Sequence, residues 1–132
     1  GFSGDPQNLD YLLTENSTGL DSTATIIITY LDIPPVAVND TSVNNQPGDN
    51  ANLDLLPNDT LGDGSIANTY RTTVQLLASS ISGAVQVNDT TVTLQGEGQW
   101  TYNGVTGELT FDPETGFSGD PQNLDYLLTE NS

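Results

Sequence analysis

VQVNDTTVTLQGEGQWTYNGVTGELTF, Val85 to Phe111, is the stretch that decides the fold. Within it Val85–Val87, Thr90–Leu94, Gln99–Tyr102 and Glu108–Phe111 are short runs in which apolar and polar residues alternate. Strict alternation puts successive side chains on opposite faces, the pattern of a half-buried strand. Asn88-Asp89 separates the first two runs and Asn103–Gly107 the last two, and both have turn chemistry, so two hairpins are predicted. Trp100, the only tryptophan, sits on an alternating strand and is predicted to face the core. Phe111 and Phe117 flank the turn Asp112–Gly116 and are predicted to close one end of the same core.

Working outward, Thr72–Leu77 and Leu124–Leu128 read as strands, and Ala51–Leu56 reads as another that stops at Pro57. Asn58–Ser65, NDTLGDGS, reads as a loop, and Val36–Val43 as a weakly alternating first strand. Near the amino terminus, Leu9–Leu13 alternates, and Ala24–Leu31, ATIIITYL, is the most β-branched and aromatic run in the chain. No stretch sustains a helical period. Eight or nine short strands at this spacing predict an all-β fold: an immunoglobulin-like antiparallel β-sandwich of the Greek-key type.

The sequence also repeats itself. Gly1–Ser17, GFSGDPQNLDYLLTENS, recurs letter for letter at Gly116–Ser132, an offset of 115 residues. Identity over such a length is not chance, so a tandem unit of that period is predicted. The unit boundary falls at Asp32-Ile33-Pro34-Pro35, because paired prolines make a stiff extended connector and cannot continue a central strand. The predicted organisation is residues 1–31 as the last strands of a preceding or permuted repeat, 32–35 as linker, and 36–132 as a repeat without its own final strand. Thr23–Leu31 would be that final strand in permuted position. Four linker residues extend about 13 Å at roughly 3.3 Å each, too short to fold it back along a domain. Head-to-tail strand exchange through Thr23–Leu31 with a neighbouring molecule is therefore expected.

Charge narrows the function. Eighteen acidic residues face one basic residue, Arg71, for a net charge of −17. Nucleic acids and anionic membranes need Lys and Arg, so neither is an expected partner. Without His or Cys the chain has neither the commonest general base nor a thiolate, and no catalytic residues are assigned. Without Cys or Lys, neither a disulfide nor a lysine isopeptide bond can staple the fold. Surplus carboxylates suit Ca²⁺, a hard ion that prefers oxygen ligands. The candidate ligands are Asp32, Asn39 and Asp40, on either side of the connector, and Asn58, Asp59 and Asp63 in the loop. The same residue types also cap strands and form turns.

PPVAVNDT (Pro34–Thr41), LPNDTLGDGS (Leu56–Ser65), GEGQWTYNGVTGELTFDPETGFSGDP (Gly96–Pro121) and TATIIITY (Thr23–Tyr30) together resemble the tandem Ig-like and cadherin-like extender repeats of giant bacterial surface adhesins, of the RTX or fibrillar type. The resemblance implies secretion to the cell surface and a role as a spacer that holds a binding domain away from the cell. In its calcium-dependent branch it also implies Ca²⁺ at domain junctions. Here the loop after Asn58-Asp59 reads TLGDGS and keeps only Asp63 of the acids usual in that pattern. Identical units stacked end to end are the expected neighbours. Two other readings are a glycan- or protein-binding adhesive module and a filament subunit built by strand exchange.

Overall fold

The computed structural model describes residues 2 and 4–131. The chain divides into two units, Gly1–Ile33 and Pro34–Ser132, with the boundary inside the predicted connector.

The amino-terminal unit is a hairpin of β1 (Leu9–Thr14) and β2 (Asp21–Ile26), paired antiparallel with Leu9 opposite Ile26 and Thr14 opposite Asp21. The turn is closed by the Glu15 N–H donating to the Leu20 carbonyl at 2.8 Å. Every residue of both strands is exposed. A two-stranded ribbon by itself is marginal in water, since it buries almost nothing against the entropy of ordering it. The strand predicted over Ala24–Leu31 is shorter at its far end, because Ile27–Leu31 has no ladder partner. One bond does extend the pairing: the Tyr30 N–H donates to Asp5 Oδ1 at 2.7 Å.

The second unit is an antiparallel sandwich. Its larger sheet has the order β3 (Ala51–Asp54), β8 (Glu108–Pro113), β7 (Gly98–Tyr102), β6 (Thr91–Leu94), β5 (Val85–Asn88). Both predicted hairpins are present as β5–β6 and β7–β8. β3 adds to the free edge of β8, an order that does not by itself define a Greek key. The smaller sheet is β4 (Thr72–Leu77) paired with β9 (Asp125–Glu130).

Alternation decides the core. In β4 the burial runs in a strict two-residue period, with Thr72, Val74 and Leu76 inward. Val92, Trp100, Tyr102 and Phe111 face them from the larger sheet, and Leu128 joins from β9. Trp100 stacks obliquely on Phe111 at 4.9 Å, and Phe111 meets Phe117 edge-on at 6.3 Å. Gly98 is required where β7 crosses β8. A side chain there would meet the Asp112 carbonyl oxygen at 2.3 Å, so only glycine permits the approach.

One predicted strand is missing. Val36–Val43 makes only a single bridge, Val36 to Thr60, and its other residues run as irregular chain. Val36, Val38 and Val43 are exposed, so its weak alternation finds no second strand to pair with among the described residues.

Candidate functional site

Two features of the second unit stand out: a buried carboxylate and an open cleft. The carboxylate is Asp59, fully buried although charged. A short 3₁₀ turn at Leu56–Asn58, with Pro57 inside it, delivers Asp59 into the interior. Burying a carboxylate is expensive unless its oxygens find donors. Both do: Oδ1 accepts the Val38 N–H at 2.7 Å, and Oδ2 accepts the Tyr126 hydroxyl at 2.6 Å. The same hydroxyl lies 3.2 Å from Asp40 Oδ2. The Asn58 side-chain amide donates to the Asn39 carbonyl at 3.2 Å. The network pins the irregular amino-terminal segment of the unit to β9.

Electrostatics agree with this geometry. Burial raises the Asp40 carboxyl above its usual range, hydrogen bonds from Asn58 and Tyr126 pull it down, and the negative charge of Asp59 pushes it up again. The Tyr126 hydroxyl is pushed far up by burial first and then by the carboxylates it serves, so it stays a donor. Burial and the Asp59 charge also raise Tyr102.

Of the six predicted calcium ligands, Asn39, Asp40, Asn58 and Asp59 come together in this network. Asp63 does not. It accepts from the Ser65 hydroxyl and N–H at 2.5 and 2.9 Å and pairs with Arg71 at 3.3 Å. Those bonds hold its carboxyl down at about 2, the Ser65 contacts first. Asp32 lies in the other unit and is exposed. Calcium takes six to eight oxygens with carboxylates free to coordinate. Both Asp59 oxygens are already engaged by protein donors, and Arg71 holds the charge of Asp63. Among the described residues no three carboxylates converge. The residues present form an internally satisfied hydrogen-bond network around Asp59. Tyr126, which the sequence offered only as an aromatic on a strand, is the residue that organises it.

The cleft is about 1120 Å³ and is lined by residues of both sheets, by the chain leading into β9, and by the irregular segment 37–49. Leu53, Trp100, Leu109, Phe111, Leu124 and Tyr126 line its apolar part. Leu53, Leu109, Leu124 and Tyr126 are only half-buried, although they pack against the core. β9 pairs with β4 on one edge, and no strand occupies its other edge among the described residues.

Compared with known protein families, curated proteins and solved structures, the chain matches none.

Proposed function

We propose that the chain is a structural repeat, an extender whose role is length and reach, within a long bacterial surface adhesin or fibre. The observation that carries this reading is the letter-for-letter recurrence of Gly1–Ser17 at Gly116–Ser132. A 17-residue segment that recurs without change at an offset of 115 residues, on either side of a proline-rich connector, suits an array in which each repeat contacts only its neighbours. The absence of His and Cys from the sequence and the strong acidity favour a passive, soluble, self-repelling rod over a catalyst. The role outside the cell rests on the resemblance of Pro34–Thr41, Gly96–Pro121 and Thr23–Tyr30 to adhesin repeats.

Small-angle scattering on chains of one, two and four 115-residue periods tests it. The maximum dimension should grow in proportion to repeat number. A radius of gyration that grows only as a compact globule does would remove the spacer reading. Saturable binding of a single repeat to one member of a glycan array would replace it with an adhesive module.

A further inference from the structure

We propose that the cleft beside β9 is a strand-acceptor site, and that its occupant is β2 of a second copy of the chain. β2 would lie antiparallel to β9, with Ile26 opposite Leu124, Ala24 opposite Tyr126 and Ser22 opposite Leu128. The proposal deepens the repeat reading by naming how copies join, yet it depends only on the duplicated segment and not on the spacer role.

The register comes from the duplication. β1 and β9 belong to the two copies of the same segment, so Leu9, Tyr11 and Leu13 correspond to Leu124, Tyr126 and Leu128. β1 holds β2 with Leu9 opposite Ile26, Tyr11 opposite Ala24 and Leu13 opposite Ser22. Any strand that pairs with β1 can pair with β9 in the same way, provided that β9 points the right backbone groups outward.

It does. In an antiparallel ladder alternate residues aim their N–H and C=O to opposite sides. The Glu15 N–H bonds Leu20, so Glu15, Leu13, Tyr11 and Leu9 face β2. The Asn131 N–H bonds the Arg71 carbonyl, so Asn131, Thr129, Leu127 and Asp125 face β4. That leaves Glu130, Leu128, Tyr126 and Leu124 facing the free edge, and these are the counterparts of the four residues that hold β2. The edge of β9 is thus preset for this strand while β4 stays in place.

Side chains fit as well. Residues directly opposite each other share a face. Leu128 is buried and Tyr126 and Leu124 are half-buried, so the docked strand would turn Ala24, Ile26 and Ile28 into the cleft, toward Leu53, Leu109 and Phe111. At present Ile26 and Ile28 are 41% and 49% exposed. Two polar contacts would carry over: Thr25 Oγ1 donates to Asp10 at 2.7 Å, and the Tyr30 N–H donates to Asp5 at 2.7 Å. Their counterparts across the cleft are Asp125 and Asp120.

The geometry selects a second copy. Gly62 N–H donates to Glu130 Oε1 at 2.7 Å, and Val36 is bridged to neighbouring Thr60, which places Val36 at the Glu130 end of β9. Docked β2 would enter at that end and leave past Leu124, with Tyr30 beside Asp120. To return to Val36 the chain would have to cover about ten strand steps, roughly 34 Å. The six steps from Tyr30 to Val36 reach only about 20 Å. The exchange releases β1, whose residues are all exposed, and leaves β9 with its buried Leu128 undisturbed. Each chain carries both donor and acceptor, so the contact does not close by itself and assembly continues head to tail.

The test uses Thr25→Cys with Asp125→Cys in the full chain, which has no cysteine of its own. The proposed register makes these a non-hydrogen-bonded pair with Cα atoms about 4.5 Å apart, within disulfide range. After mild oxidation we expect a ladder of covalent multimers on a non-reducing gel, whereas T25C alone stops at dimers. Light scattering of the natural chain should show mass rising with concentration, and Ile26→Asp with Ile28→Asp should hold it at the monomer. Trp100 fluorescence reports that the second unit remains folded in each variant. A monomeric product, whether free thiols or an internal disulfide, would overturn the second-copy occupant and leave the spacer reading to its own scattering test.

Discussion

Replacing Tyr126 with Phe should cost the second unit about 2–3 kcal/mol. The substitution keeps the ring in its half-buried place and removes one oxygen. That oxygen is the donor to Asp59 Oδ2 at 2.6 Å, and Asp59 is fully buried. A hydrogen bond to a charged group contributes about 1.5–3 kcal/mol, and a buried acceptor stripped of its donor keeps the full desolvation cost. Asp59→Asn should be milder, about 1 kcal/mol. Its amide can donate to the Tyr126 oxygen while the hydroxyl turns to Asp40, 3.2 Å away. With Asn at position 59, Tyr126→Phe removes the neutral amide bond and the longer bond to half-buried Asp40 but strips no donor from a fully buried carboxylate, so the two changes should couple by about 1–2 kcal/mol. Urea unfolding followed by Trp100 fluorescence reads this directly, because the single tryptophan is 4% exposed and lies in the second unit's core. The slope against urea should not change. A Tyr126→Phe variant within 0.5 kcal/mol of the parent, or a coupling near zero, would refute the view that this network anchors the amino-terminal segment to β9.

The repeat offers an internal control. Leu128→Ala should cost about 2–4 kcal/mol, because the side chain is 8% exposed and leaves a cavity, while Leu13→Ala, the same residue in the exposed copy at 65%, should change the Trp100-reported midpoint by under 0.5 kcal/mol. For pH, the Asp63 carboxyl is lowered to about 2, so its contribution is present above the unfolded value near 4 and is lost as pH falls toward 2. Asp63→Asn should therefore flatten the loss of stability across that interval in urea midpoints measured at each pH. For calcium, 1 mM CaCl₂ at fixed ionic strength should raise the melting temperature no more than 1 mM MgCl₂ does, since the Asp59 oxygens are already satisfied. A calcium-specific rise reversed by chelator would show that the folded chain binds the ion and would overturn this expectation.

Much of the second unit was legible in its sequence because alternation and turn chemistry agreed there. Thr72–Leu77 and the inward Trp100 follow from strand patterning, and the two hairpins from that patterning together with the turns at Asn88-Asp89 and Asn103–Gly107. Where that signal depended on a distant partner, it misled. ATIIITYL is the strongest β-forming run in the chain, yet Ile27–Leu31 stays out of the ladder, and VAVNDTSV makes one bridge. Propensity describes how well a side chain suits a pleated, half-buried surface, and it creates no ladder where no partner strand is adjacent. The site was harder still. Clustered Asn and Asp residues were legible as oxygen donors, but the sequence could not reveal that a tyrosine 67 positions beyond Asp59 hydrogen-bonds its carboxylate.

Two copies of one segment, in one chain, end in opposite environments, and that contrast bears on how the fold stores its information. Leu128 is buried and Leu13 is exposed; Tyr126 serves a buried carboxylate while Tyr11 stands in solvent. Local sequence therefore fixes the strand in both copies but not the edge it pairs through, since β1 bonds β2 through Leu9, Tyr11 and Leu13 whereas β9 bonds β4 through Asp125, Leu127 and Thr129. It does not fix burial, which comes from the surface presented by β4 and the larger sheet. A strand that pairs with one copy of the segment, as β2 pairs with β1, meets the same residue types in the other copy, β9. The proposed exchange would draw its register from the identity of the two segments, and the cleft of about 1120 Å³ beside Leu124 and Tyr126 is where the exchanged strand would be buried.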